Sequence, residues 1–463
     1  MRSKRDNLFL AVFVLACVAT ISVAAIAASG AKYYRPTASA QGGGAYTGDT
    51  QITTGSGGST TTTTGGSSGG AGGSGGVGGP GGGGSGGGGT TGVSGDTIKI
   101  GGIFSEGGGI DATVEEDTVR ACFNLANSQG GINGHKLQLI SYNDNNNGDN
   151  AANEAAELDQ KDHVFAIVGW LAPFGEASAA PYFESKGIPI VGGLGVPEEF
   201  NNQYSFPVSP IFVKDGYALG AFATNPNGPL HFKHPGVFLT QTAGIQDVAN
   251  GIMQAAAANH VTVSNNDIVY VSFAQPNFDN YLLQFQADGV DGLITQIDPF
   301  SYYRLYQSEQ RTNKVFPHLG GAGLDKQSVD SQIGAPLHGT YDFMPFLEAQ
   351  GNPTGNPEIA LYLNTLAHYY PDQMQNVDAF SEGSWVSCRV FEQALAKLGS
   401  NVTRQGLIQA LNSGVYSTRG MAPDLNYGAA GSTHAAAHCA SYTTYTSSNR
   451  WQLVTGGNGF VCY

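Results

Sequence analysis

The sequence predicts an α/β fold of two similar lobes with a cleft between them, and two observations carry that expectation. Between residues 97 and 200, short apolar runs alternate with longer amphipathic ones. After a proline-marked stretch at Tyr204 to Pro210, a second series of the same kind begins. Strands that alternate with helices of this length form parallel, buried sheets, because a parallel neighbour needs a crossover connection. Such sheets bind ligands at the carboxyl ends of their strands.

In the first series, Thr97 to Ser105, Lys136 to Tyr142, Val164 to Val168 and Ile188 to Val191 read as strands. Between the first two lies an amphipathic helix with Val119, Cys122, Phe123 and Ala126 at helical spacing, stopped at Gln129-Gly130-Gly131. In the second series the expected strands are Gly236 to Thr240, Asp267 to Phe273, Gly292 to Ile297 and Val315 to Leu319. Helices are expected at Ile245 to Ala258, Phe278 to Ala287 and Tyr302 to Arg311. Gly339 to Phe346 returns as an extended segment, followed by helices at Pro357 to Tyr369, Asp378 to Leu398 and Arg404 to Leu411. His438 to Tyr445 and Arg450 to Val454 read as a hairpin.

Two stretches precede this domain. Arg2, Lys4 and Arg5 come before an uncharged run from Leu8 to Ala28, long enough at 1.5 Å per residue to cross about 30 Å of hydrocarbon. Ala25-Ile26-Ala27 fits a cleavage site of a secretory signal, and the length of the run fits a retained membrane anchor; lipidation at Cys17 is a third reading. All three place the rest outside the cytoplasm, either anchored to the membrane or secreted. Residues 31–96 form a Gly/Ser/Thr-rich linker in which no core can assemble.

The net charge of -15 and scattered basic residues exclude nucleic acid as a partner class. Beyond Cys17 the cysteines are Cys122, Cys388, Cys439 and Cys462, with no CxxC among them. Outside the cytoplasm four thiols favour disulfides: Cys439 with Cys462 would close the terminal hairpin, and Cys122 with Cys388 would join two helices of one lobe. The competing reading for Cys122 and Cys388 is a pair of small buried apolar residues.

The order of segments then becomes recognisable. IKIGGIFSEGG at 98–108, NSQGGINGHKLQLISYND at 127–144, FAIVGW at 165–170 and KGIPIVGGLGVPEEF at 186–200 resemble the Leu/Ile/Val-binding type of solute-binding protein of ABC transporters. The resemblance implies the type I periplasmic-binding fold, two Rossmann-like lobes with a hinged interlobe cleft. It divides the domain into one lobe of approximately 97–206 plus 345–415 and a second of approximately 210–340 plus 416–463. The implied partners are a small-molecule solute and an ABC transporter permease, and the membrane is met through the amino-terminal segment. No cofactor and no metal is implied.

In that family a serine-rich turn after the third strand holds the ligand carboxylate. The matching turn, Trp170-Leu171-Ala172-Pro173-Phe174-Gly175, has no hydroxyl, although the backbone amides of Phe174 and Gly175 remain available to an anion. The turn after the fourth strand carries Leu194-Gly195-Val196 where a Thr is usual, and the acidic group that meets a ligand ammonium falls near Gly321-Ala322-Gly323. An unpaired buried ammonium is costly, so a plain amino acid does not suit this cleft. An apolar or aromatic solute is expected instead, with Ser105, Glu106, Trp170, Phe174, Gly175, Leu194, Phe300, Tyr302 and Trp385 as ligand-binding candidates. For each aromatic the alternative is a place in the core.

An enzyme finds no visible equipment: no Walker loop, no GxGxxG or GxSxG after a strand, and no locatable acid–base pair. His434 and His438 are four apart beside Cys439, a metal-like spacing in a segment that reads as loop. The remaining rivals are a ligand-sensing receptor ectodomain of the same fold and a surface protein whose cleft is filled by its own side chains.

Overall fold

The computed structural model describes residues 91–463 apart from 108–109, 201, 322, 429–433 and 435–437. The expected export segment, Cys17 and the tether up to residue 90 lie outside the described residues. No helix among the described residues is long and apolar enough to cross a membrane.

Each lobe is built on one twisted sheet. In the first, β1 (Val93–Ser94), β2 (Thr97–Phe104), β3 (Lys136–Asn143), β4 (Ala166–Val168), β5 (Ile190–Val191) and β6 (Ser205–Phe206) take the order β3-β2-β4-β5-β6, all parallel. β1 folds back antiparallel onto the start of β2. In the second, β7 (Pro235–Thr240), β8 (Ile268–Val271), β9 (Gly292–Gln296), β10 (His318–Gly320) and β11 (Tyr341–Met344) repeat the same parallel order, β8-β7-β9-β10-β11. A separate pair, β12 (Val415–Tyr416) and β13 (Leu425–Asn426), precedes the antiparallel extension of the second sheet by β14 (Cys439–Tyr445), β15 (Trp451–Leu453) and β16 (Val461–Cys462).

In both sheets the strand order reverses beside the first strand, between β2 and β4 and between β7 and β9. Crossover helices leave such a sheet on opposite faces at that point and open a crevice there. The connection from the first helix to β3 shows why local chemistry permits the path. Gly131 has φ +82°, and a Cβ there would stand 2.0 Å from the carbonyl oxygen of His135, so only glycine closes this turn.

The helix Thr113–Ser128 buries Val114, Val119, Cys122, Phe123 and Ala126 against the helix Ala379–Ala396, and Cys122 is disulfide-bonded to Cys388 across that contact. The second bridge, Cys439–Cys462, ties β14 to β16. The helix Gly148–Gln160 has a weak sequence signature, since its buried face is only Ala151, Ala155 and Leu158. It is started by Asn147, whose side chain accepts from Asp149 and Asn150 N–H. Tyr416, Met421, Leu425 and Tyr427 belong to the core of the first lobe, so the chain leaves that lobe for the last time after Tyr427.

The lobes are joined at three places: Pro207 to Ile211, Pro345 to Ala349, and the segment between Tyr427 and Cys439. The third is held to the first lobe by His434, whose ring nitrogens meet the Ser205 carbonyl at 2.7 Å and Asn412 Oδ1 at 2.6 Å. With both nitrogens engaged and its ring stacked on Phe206, His434 is a structural residue.

Candidate functional site

The carboxyl ends of the two sheets face one another across a cavity of about 290 Å³. From the first lobe it is lined by Thr113 and Val114 at a helix start, by Trp170 and Leu171 after β4, and by Gly193 and Leu194 after β5. From the second come Thr240 at the end of β7 and Thr242 just beyond it, Phe273 after β8 and Ile297 to Phe300 after β9. Pro345 and Phe346 of the second crossover and Phe380 at the head of a first-lobe helix complete it. The switch points of both sheets therefore open into one space.

Of the residues singled out in the sequence, Trp170, Leu194 and Phe300 lie on this wall. Trp170 is 1% exposed, packs edge-on against Phe183, and keeps an indole N–H without a partner. Phe300 is 48% exposed at the rim. Phe174 stands beside the cavity with its ring against Phe273 of the other lobe.

The other candidates are placed in packed or capped positions. Tyr302 is fully buried, and its hydroxyl lies 3.1 Å from both the Thr295 and the Gly321 carbonyl, to which its one proton can be given, while accepting Gly321 N–H. The residue that shares the cavity face with Phe300 is instead Tyr303, three positions on, one helical turn along. Trp385 packs against Tyr362, and its Nε1–H donates to Glu358 at 3.1 Å, a carboxylate that also receives Arg389. Ser105 donates to Asp144 at 2.7 Å inside the first lobe. Glu106 sits by Asn143 and Glu116, and burial followed by the contact with Glu116 pushes its carboxyl up to about 8. Gly175 opens the helix Glu176–Ser185 against Ala151 and Asp144. Asp298 caps its helix by accepting from Ser301 N–H and receives Ala274 N–H as well.

The feature that sequence reasoning did not find is a carboxylate supplied by the chain itself. Glu176 is fully buried; its Oε1 accepts Ala172 N–H at 3.0 Å and its Oε2 accepts Leu194 N–H at 2.9 Å. One side chain thus binds the turns after β4 and β5 together. Beside it, Glu199 Oε2 accepts Gly195 N–H at 2.8 Å. Burial first, and then the Glu176 charge, push the Glu199 carboxyl well above the ordinary range, so Glu199 holds the proton of the pair. Gly193 makes room: at φ +117° a Cβ would lie 1.7 Å from the Glu199 carboxylate.

Among the described residues of the wall, Lys326 is the one basic side chain, and its ammonium is 3.0 Å from Asp378. Asp111, Glu115, Asp215 and Asp298 stand opposite it in charge. Asp215 Oδ1, Glu115 Oε2, Gln296 Oε1 and Trp170 Nε1 are buried with no hydrogen-bond partner. Burial raises both Asp215 and Glu115 well above the usual carboxylate range, which favours the protonated form that can donate as well as accept. The arrangement is an apolar enclosure with a few unused hydrogen-bonding atoms.

No curated protein matches the sequence. Among solved structures, the fatty acid ABC transporter substrate-binding protein from Thermomonospora curvata is similar, with a TM-score of 0.68 at 15% identity over 81% of this chain and 92% of that one. A possible leucine/isoleucine/valine-binding protein from Rhodopirellula baltica SH 1 gives 0.67 at 15% identity, over 78% and 96%. The solute-binding protein of an ABC transporter from R. palustris, in complex with benzoate, gives 0.66 at 14% identity, over 79% and 98%. At such identities the likeness establishes the fold. A family model described as periplasmic binding protein matches residues 97–450, and the chain belongs to that family.

Proposed function

We propose that this protein is an extracytoplasmic solute-binding protein that closes its two lobes on an apolar or aromatic molecule with a neutral hydrogen-bonding end, and delivers it to an ABC importer. The observation that carries this reading is the double use of the turn amides. Ala172, Leu194 and Gly195 N–H, in the turns after β4 and β5, already donate to Glu176 and Glu199, and Gly175 N–H is taken by the Ala172 carbonyl. A free amino acid would find these amides taken for its carboxylate, and the unpartnered acids that the wall offers its ammonium, Asp215 and Glu115, are disposed towards their neutral forms by burial.

The wall chemistry supports the same reading. Phe273, Phe300, Phe346 and Phe380 offer ring faces and edges, and the lone lysine is already paired. Two structural relatives bear on the apolar part of this reading by their ligands: the protein from Thermomonospora curvata is named for fatty acids, and that from R. palustris holds benzoate, both of which carry a carboxylate where the solute proposed here has a neutral end. The cavity is not filled by the chain's own aromatic side chains, which weighs against a surface protein without a ligand. The lobes move about the three connections, and the residues lining the solute are Trp170, Leu194, Phe273, Phe300 and Tyr303.

A thermal-shift screen of the full chain against leucine, valine, benzoate, benzamide and medium-chain alcohols tests this. A ligand that binds only the folded form raises the melting temperature. Benzamide or an alcohol is expected to do so and leucine is not. A shift with leucine or valine alone overturns the assignment.

A further inference from the structure

Behind the cavity, and separate from it, four carboxylates are packed where the second crossover passes between the lobes. Asp325 follows β10, Asp342 is in β11, Glu348 is on the crossover itself, and Glu382 is in the first turn of the first-lobe helix Ala379–Ala396. All four are at most 1% exposed. Carboxylate oxygens of Asp325, Glu348 and Glu382 lie within 4.8 Å of one another.

Beyond their proximity, these carboxylates are only partly served by hydrogen bonds. One oxygen of each of the three is fixed by a backbone N–H: Gly323 to Asp325 Oδ1 at 3.0 Å, Gln350 to Glu348 Oε1 at 2.6 Å, and Ala349 to Glu382 Oε1 at 2.7 Å. The second oxygens of Glu348 and Glu382, and both oxygens of Asp342, are buried without any partner. An unpaired buried carboxylate costs several kcal/mol, so such groups are held by a cation or by protons. The neighbouring ammonium, Lys326, is committed to Asp378.

We propose that this cluster binds one divalent, oxygen-seeking cation of the calcium class, which fastens the second crossover to both lobes. The donor set selects the class of ion: calcium takes carboxylate oxygens at about 2.3–2.6 Å in flexible geometry, whereas magnesium demands near-octahedral geometry, keeps several waters and is seldom held by an all-protein cage. An all-carboxylate donor set without thiol or imidazole is also not one that zinc or copper prefers. Bound there, the ion would join Asp325 of the second lobe, Glu348 of the connection and Glu382 of the first lobe. It would set the stiffness of the hinge without touching the solute.

The test is the metal content and melting temperature of the full chain. Isolated with calcium and then desalted, it is expected to retain about one calcium per chain. A chelator is expected to lower its melting temperature, and calcium to restore it where magnesium at equal concentration does not. Glu348→Gln together with Glu382→Gln is expected to abolish both the bound calcium and the response. Because that double variant removes two buried charges, Asp325→Asn is the companion: it leaves Glu348 and Glu382 in place and should weaken calcium binding at least tenfold. A desalted protein that carries no calcium and melts identically with chelator, calcium or magnesium overturns the proposal and assigns the cluster to shared protons.

Discussion

Phe174 of the first lobe and Phe273 of the second meet across the mouth of the cleft with ring centroids 4.5 Å apart and planes inclined at 55°. Aromatic pairs in such tilted contact contribute about 0.5–1.5 kcal/mol beyond their burial. In the proposed closure of the lobes this contact would act as a latch, because it joins one lobe to the other. Phe174→Ala and Phe273→Ala should each weaken solute binding about two- to tenfold, and the double variant should lose less than the sum. A double-mutant cycle on the affinity checks this; strict additivity would mean that the rings do not act together.

Phe300 and Tyr302 should respond in opposite ways. Phe300 is half exposed at the cavity rim, so Phe300→Ala is expected to reduce affinity by about 0.5–1.5 kcal/mol with little effect on stability. Tyr302→Phe removes the hydroxyl that accepts Gly321 N–H, leaves that donor unpaired, and should cost about 1–3 kcal/mol of stability with affinity preserved. Chemical denaturation and a binding titration on each variant separate the two.

That contrast shows where the sequence was informative. The alternation of apolar runs with amphipathic ones located most of the parallel strands, because burial on both faces of a parallel strand leaves a dense apolar signature, but it did not reveal β6 or the helices Gly148–Gln160, Phe212–Thr224 and Gln327–Ile333. The helix Pro357–Tyr369 was legible to the residue, since Asn356 and Pro357 form a cap and a first-turn proline. Depth was not legible. Tyr302 and Tyr303 are adjacent and identical in type, yet one is core and the other wall, and only their angular position relative to Phe300 separates them. The spacing of Phe300 and Tyr303, one helical turn apart, was the available signal. Glu176 and Glu199 could not be found that way, because their partners lie on turns distant in sequence and a glutamate near a helix start ordinarily serves the helix dipole.

Stability of the chelated protein should depend on pH in a direction set by its buried acids. Burial and then the Asp378 charge push Asp325 up to about 8, and burial pushes Asp330 up to about 6. A folded-state value raised above the unfolded one means that the protonated group favours folding. That contribution is full below the unfolded value and is lost as pH rises through the folded one. Melting temperature without metal is therefore expected to fall between about pH 5 and pH 8. With calcium bound the sign reverses, since the ion needs the carboxylates ionised. Melting scans at several pH values with and without chelator read both slopes.

The two disulfides should contribute unequally. Cys122–Cys388 closes a sequence separation of 266, and Cys439–Cys462 one of 23. Loop-closure entropy assigns the longer bridge about 5.5 kcal/mol and the shorter about 3.5 kcal/mol, as upper values. Replacing each pair by alanine and measuring unfolding by denaturant should rank them in that order. A larger loss from the terminal pair would show that native packing outweighs the constraint on the unfolded chain.

The central claim is that the cleft accepts a neutral apolar or aromatic solute because its turn amides already serve Glu176 and Glu199. Calorimetric titration of the full chain with benzamide, benzoate and leucine addresses it most directly. Benzamide binding with a negative heat-capacity change, benzoate at least tenfold weaker, and no heat from leucine is the expected result. Binding of leucine, or of benzoate more tightly than benzamide, would contradict it, because either would require an anion site that the two glutamates occupy.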